Sequence, residues 1–194
     1  MKVVIVGDGK VGGTIARQLS GEGHDIIVID NNTKVLNTAS QTMDIMSVEG
    51  NGASAALQRE AGVPSADLLI AVTSGDEINI LSCAAARKLG TAHTIARVRN
   101  PMYVEELDLI KDDLGLSMTI NPEAECAREM ARVLRIPSAL EIDTFAKGRV
   151  EILKLRIVEG SPLDGMALME MGKFKAKVLI CAVERGGQEV HIPS

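Results

Sequence analysis

Six runs of mostly apolar residues recur along the first two thirds of the chain: Val3–Val6, Asp25–Asp30, Asp44–Val48, Leu68–Thr73, Thr94–Val98 and Ser117–Ile120. Between them lie stretches with helical spacing, at Val11–Ser20, Thr33–Thr42, Ala53–Ala61, Asp76–Leu89 and Tyr103–Leu114. In the first of these Val11, Ile15 and Leu19 fall four apart, on one face of a helix. Gly62, Gly90 and Gly115 stand where three of the helices should stop. A strand that is apolar on both faces must be covered on both faces, and helices between such strands supply the cover. The alternation predicts an α/β fold with a Rossmann-like, doubly wound, parallel six-stranded sheet.

After Ile120 the pattern changes. Asn121 can cap a helix with Pro122 at its first position, predicted to run to about Leu134. Its polar face carries Glu125, Arg128, Glu129 and Arg132, spaced for mutual pairing. Residues 1–134 read as one domain, 135–147 as a linker, and 148–194 as the start of a small α+β domain. In that last part Val150–Val158 reads as a strand, continued by Ser161–Leu163 and Lys177–Glu184. So few residues make a poor independent core, so the expectation is an incomplete domain that continues past Ser194.

The glycine turn between the first strand and first helix carries the chemistry: Gly7-Asp8-Gly9-Lys10-Val11-Gly12. The first glycine permits a tight turn, the second lets a pyrophosphate approach the backbone, and the third lets helix pack on strand. The helix N-terminus then offers free N–H groups and a positive dipole end. Such a turn alone is common. Here it follows a strand, opens a helix and is answered by Asp30 at the end of the second strand. A carboxylate at that place accepts from ribose hydroxyls and repels a 2′-phosphate, which points to NAD over NADP.

Three further places fit the same ligand. Lys10 lies where a mobile charge could reach phosphates, or is simply solvated. Thr73 and Ser74 follow the fourth strand at the carboxyl edge, where open sheets bind ligands; they could equally cap the helix from Asp76. Arg97 sits inside a strand, where a guanidinium needs a partner, either a ligand or a carboxylate.

The remaining residues argue against chemistry on the ligand. His24, His93 and His191 have no motif around them, and Tyr103 is followed four residues on by Leu107 instead of the lysine of short-chain dehydrogenases. Cys83, Cys126 and Cys181 have no paired spacing and read as reduced, cytoplasmic cysteines. No residue is assigned to catalysis or to a metal. Net charge is −5 and aromatic content 2%, against a nucleic-acid or anionic-membrane surface. Apolar runs are strand-sized, so no membrane span is expected, and a strand opening at Val3 leaves no room for a signal peptide. These features predict a protein that senses nucleotide without turning it over. The competing reading is a fragment of an NAD-dependent oxidoreductase whose substrate domain lies downstream.

The segments "VVIVGDGKVGGTIARQLSGEGHDIIVID", "ADLLIAVTSGDEINILSCAAARKLG", "TIARVRNP" and "INPE", in this order, resemble the RCK (KTN) domains of potassium channels and transporters, in particular the regulatory subunits of Trk-type potassium uptake. The resemblance covers residues 1 to about 134, and "GSPLDGMAL" and "QEVHIPS" resemble the start of the family's C-terminal ligand-binding domain. It implies a nucleotide held by Gly7 to Val11, Asp30, Thr73, Ser74 and Arg97, and homo-oligomeric dimers and rings under a Trk-type membrane potassium transporter subunit. It implies a cytoplasmic protein at the inner face of the membrane through that partner. In related KtrA-type rings the position of Lys10 holds an arginine that senses ATP or ADP, so those nucleotides stand beside NAD and NADH. Lysine keeps the charge and loses the bidentate fork. The resemblance also places Glu123 near a subunit interface, while a first-turn carboxylate facing the helix dipole explains it equally well.

Overall fold

The computed structural model describes residues 1–136, 138–146, 148–173, 178–187 and 189–193. The chain divides into two compact units, Met1–Ala131 and Arg132–Ser194.

In the first unit the strands are β1 (Lys2–Val6), β2 (Asp25–Asp30), β3 (Met46–Glu49), β4 (Leu68–Ala71), β5 (His93–Arg97) and β6 (Met118–Ile120). The helices are α1 (Lys10–Gly21), α2 (Thr33–Thr42), α3 (Ala55–Glu60), α4 (Asp76–Leu89), α5 (Pro101–Leu114) and α6 (Pro122–Arg135), which runs past the unit's end. All six strands pair in parallel, in the order β3-β2-β1-β4-β5-β6. This is the doubly wound, Rossmann-like order, with its reversal between β1 and β4.

The pleat explains why the strands are apolar throughout. Val4, Val6, Ile27, Ile29 and Leu69 point to one face, where Cys83 and Ala86 of α4 and Leu107 of α5 meet them. Val3, Ile5, Ile26, Val28 and Ile70 point to the other, under Ala16 of α1 and Leu36 of α2. Alternate residues serve opposite layers, so no position from Val3 to Val6 or from Ile26 to Ile29 is left for a polar side chain. The helix stops follow the glycines. Gly62 (φ +73°) ends α3 and leads into a short 3-10 turn at Val63–Ser65, and Gly115 (φ +67°) ends α5.

The second unit departs from expectation. Residues 135–147, read as a linker, contain strand β7 (Ala139–Phe145), antiparallel to β8 (Val150–Leu155). Neither face of β7 is buried, so pairing with β8, rather than an amphipathic pattern, makes it a strand. The strand expected to reach Val158 stops at Leu155, and Ser161–Leu163 lies in a turn. The strand expected over 177–184 begins outside the described residues; within its range β9 (Val183–Arg185) opens, pairing antiparallel with β10 (Glu189–His191).

Candidate functional site

Four loops meet along the carboxyl edge of the sheet, following β1, β2, β4 and β5, which are neighbours in it. The glycine turn follows β1. Gly7 has φ +99°, and a Cβ there would lie 2.9 Å from the backbone N of Thr73. A Cβ on Gly12 would lie 1.8 Å from the Gly7 carbonyl oxygen. These two glycines are required by the protein's own packing. Gly9 is different: a Cβ there would meet nothing within 4 Å. It is the N-cap of α1 in extended conformation, and no side chain caps the helix. The first turn contains no acidic residue and opens with exposed Lys10. Its N–H groups and positive dipole end therefore face open space at Gly9, which fits an anionic phosphate. Val11 contributes only backbone here, because its side chain packs against the α1–α2 core.

Asp30 closes the turn from β2. One carboxylate oxygen accepts from the Asp8 N–H at 2.7 Å and the other from the Asn32 N–H at 2.8 Å. The residue expected to read ribose therefore also fastens the glycine turn to β2 and to the entry of α2. Each oxygen retains a second acceptor site. Asp8 itself is buried beside it. Burial first, and the negative charge of Asp30 second, raise its carboxyl pKa above the usual 3.8, with Arg17 pulling the other way.

The β4 loop is held by a residue that sequence reasoning missed. Asn79 of α4 is fully buried. Its Oδ1 accepts from the Thr73 N–H at 2.8 Å and from the Thr73 hydroxyl at 2.7 Å. Its Nδ2 donates to the Arg97 carbonyl at 2.9 Å and to the Thr73 carbonyl at 3.2 Å. One side chain thus ties the end of β4 to the end of β5. Asp76 does the same one turn earlier, accepting from the N–H groups of Arg99 and Asn100 at 2.9 and 2.8 Å. A signal for both was present: Asp76, Asn79, Cys83 and Ala86 share the α4 face that packs inward, where a polar residue must have a buried partner. The expected capping of α4 by Thr73 and Ser74 takes another form. Gly75 is the N-cap and no side chain caps the helix; the Thr73 hydroxyl accepts from the Gly75 N–H at 3.2 Å.

Arg97, read as ligand-binding, has a protein partner. Its guanidinium pairs with the carboxylate of Glu123, in the first turn of α6. The side chain is 12% exposed, and its Nε is buried with no acceptor among the described residues. Glu123 in turn is held below the usual carboxylate range, first by a bond from its own backbone N–H and then by Arg97 and Arg99. Tyr103, singled out for its lack of a lysine partner, donates to Glu77 at 2.7 Å and so joins α5 to α4. Among the described residues no cluster of His, Cys, Asp or Glu is placed to hold a metal ion, and no helix is long and apolar enough to cross a membrane.

The TrkA-N domain family model matches residues 3–122. A Trk system potassium uptake protein TrkA homolog from Archaeoglobus fulgidus is 38% identical over 193 residues, covering 100% of this chain and 43% of the relative. The Trk system potassium uptake protein TrkA of Haemophilus influenzae is 36% identical over 171 residues, covering 87% of this chain and 37% of its own. The chain thus spans less than half the length of these relatives. Among solved structures, a GsuK channel bound to NAD superposes with a TM-score of 0.58 at 22% identity, over 75% of this chain and 25% of the channel. That likeness is one of fold.

Proposed function

Because this chain belongs to the TrkA-N domain family, we propose that it is a regulatory, nucleotide-binding part of a Trk-type potassium uptake system and not an enzyme. Its ligand is NAD or NADH, with ATP and ADP as the alternatives. The observation that carries the reading is the uncapped start of α1 at Gly9, open to solvent, with Asp30 ending the neighbouring strand. The names of its relatives and the NAD-bound GsuK channel of the same fold support it.

In this reading Gly7 to Gly12 shape the pyrophosphate cradle, with Asp8 and Val11 contributing backbone and Lys10 a mobile positive charge. Asp30 takes the ribose hydroxyls on its free acceptor sites. Thr73 and Ser74 line the opposite wall, and the Arg97 guanidinium offers an Nε donor that has no acceptor among the described residues. The nucleotide supplies negative charge and a bridge between the two halves of the sheet; the protein supplies donors already in place. Met1–Ala131 form the nucleotide-binding domain, and the second unit, with β7 and β8, belongs to the C-terminal one. The protein works as a homo-oligomer at the cytoplasmic side of a membrane potassium transporter subunit. Ligand acts on that partner only through different affinities for two shapes of the assembly.

Calorimetry with NADH and NADPH tests the site. NADH is expected to bind at least about tenfold tighter, roughly 1.4 kcal/mol. Equal affinities would remove Asp30 from the ribose-reading role, and no binding of either would remove NAD and NADH as ligands and leave ATP and ADP to be titrated in the same way.

A further inference from the structure

Asp8 is the one acidic side chain of the glycine turn, and the nucleotide reading gives its carboxyl group nothing to do. It is 6% exposed. Its backbone N–H goes to Asp30, but among the described residues no donor reaches its own carboxylate. The group lies against the first turn of α1, where its Oδ1 would stand 3.1 Å from a Cβ on Gly13. It lines a groove between α1 and α2.

The groove does not satisfy it. The hydroxyls of Thr14, Thr38 and Thr42 all donate to carbonyls of their own helices, at 2.7, 3.0 and 3.0 Å. From α1 the charged residues facing it are Lys10 and Arg17, and no nitrogen of either comes close enough to make an ion pair. From β2 the neighbour is Asp30, of like charge. From α2 and the residue that follows it the groove is lined by Val35, Thr38, Ala39, Thr42 and Met43, none charged.

A phosphate at the start of α1 would add a negative charge beside two carboxylates. The two respond differently. Asp30 already accepts an N–H bond on each oxygen. Asp8 accepts none and is buried, which favours its neutral form. We infer that Asp8 is the proton-binding residue of the nucleotide site: a phosphate-bearing ligand binds together with one proton from solvent, which the Asp8 carboxyl takes up. The inference rests on the nucleotide reading above. The already raised pKa of the Asp8 carboxyl agrees with it.

The sign follows from linkage. The ligand raises the Asp8 pKa, so affinity is level at acid pH, where Asp8 is protonated with or without ligand. It falls as pH rises between the free and bound pKa values, approaching tenfold per pH unit, and levels again above them. The Asp8→Asn variant carries a neutral amide at every pH. NAD is the probe, since its pyrophosphate does not titrate near neutrality. It is titrated calorimetrically into the full chain between about pH 5 and pH 8, in two buffers of different ionisation enthalpy. The expected result is a buffer-dependent heat that reports proton uptake, with the matching loss of affinity, both abolished in Asp8→Asn. Arg17→Gln, which removes a charge that lowers the Asp8 pKa, should move the transition to higher pH and serves if Asp8→Asn does not fold. NAD binding without proton uptake, or uptake that survives Asp8→Asn, overturns the inference and leaves the nucleotide reading standing. No NAD binding at any pH overturns the inference together with the NAD form of the nucleotide reading.

Discussion

Arg97, the last residue of β5, is paired with Glu123, in the first turn of α6. The pair spans the place where the sheet ends and the next helix begins. Glu123→Gln keeps the shape and removes the charge facing a largely buried guanidinium. The expected cost is about 1 kcal/mol, a drop of a few degrees in melting temperature at neutral pH. The folded pKa of Glu123 lies below its usual 4.5, so its contribution is complete above that value and is lost as pH falls through the folded pKa. Thermal melts of wild type and variant should therefore converge as pH falls below 4.5. A constant difference across that range would show that the ionised carboxylate contributes nothing.

Gly9 and Gly12 should separate binding from folding. Gly12→Ala forces a Cβ to 1.8 Å from the Gly7 carbonyl, and is expected to cost about 3 kcal/mol or more in chemical denaturation. Gly9→Val meets no atom within 4 Å of its Cβ and should melt within about 2 °C of wild type while giving no heat with NAD. Under the proposed function, cells that depend on this protein should then lose nucleotide control of potassium uptake while the variant still assembles. Normally regulated uptake by an assembled, non-binding Gly9→Val protein would make the nucleotide structural at most.

Asn79→Ala removes every bond between the ends of β4 and β5 that this side chain makes, leaving the Thr73 N–H and Arg97 carbonyl without it. Unpaired buried groups of this kind cost about 2–4 kcal/mol together. The urea midpoint should fall with an unchanged slope, and hydrogen exchange at the Thr73 amide should accelerate. An unchanged midpoint would mean that water replaces the asparagine at no cost.

Cysteine reactivity should divide by burial. The Cys83 thiol is buried in the core and pushed up to about 12, whereas Cys126 and Cys181 are exposed. At pH 8 a thiol reagent should label Cys126 and Cys181 in the native protein and Cys83 only after denaturant is added. Native labelling of Cys83, read by peptide mass, would show that the α4 face opens.

The sequence by itself determined the elements of the sheet domain and the glycine turn that opens α1. Both are written in short-range patterns: strands apolar at every position, helices with apolar residues four apart, and glycines where the backbone turns left-handed or passes close to itself. The strand order followed, because parallel strands joined by helices have few ways to pack. Tertiary structure alone decided the partners of the polar groups at the sheet edge. Nothing near Arg97 in the chain announces Glu123; they meet because β5 and β6 are neighbours and α6 starts where β6 stops. Asn79 reaches the Arg97 carbonyl only because α4 lies over β5, and Asp30 meets the Asp8 N–H only because β1 and β2 end level, with Val6 opposite Ile29. β7 was hidden for the same reason: its faces are not buried, so its only signature is the hydrogen bonding to β8. A buried or half-buried polar group is satisfied by whatever donor or acceptor the fold brings within about 3 Å, and that distance is set by packing between segments distant in the chain, which local periodicity does not encode.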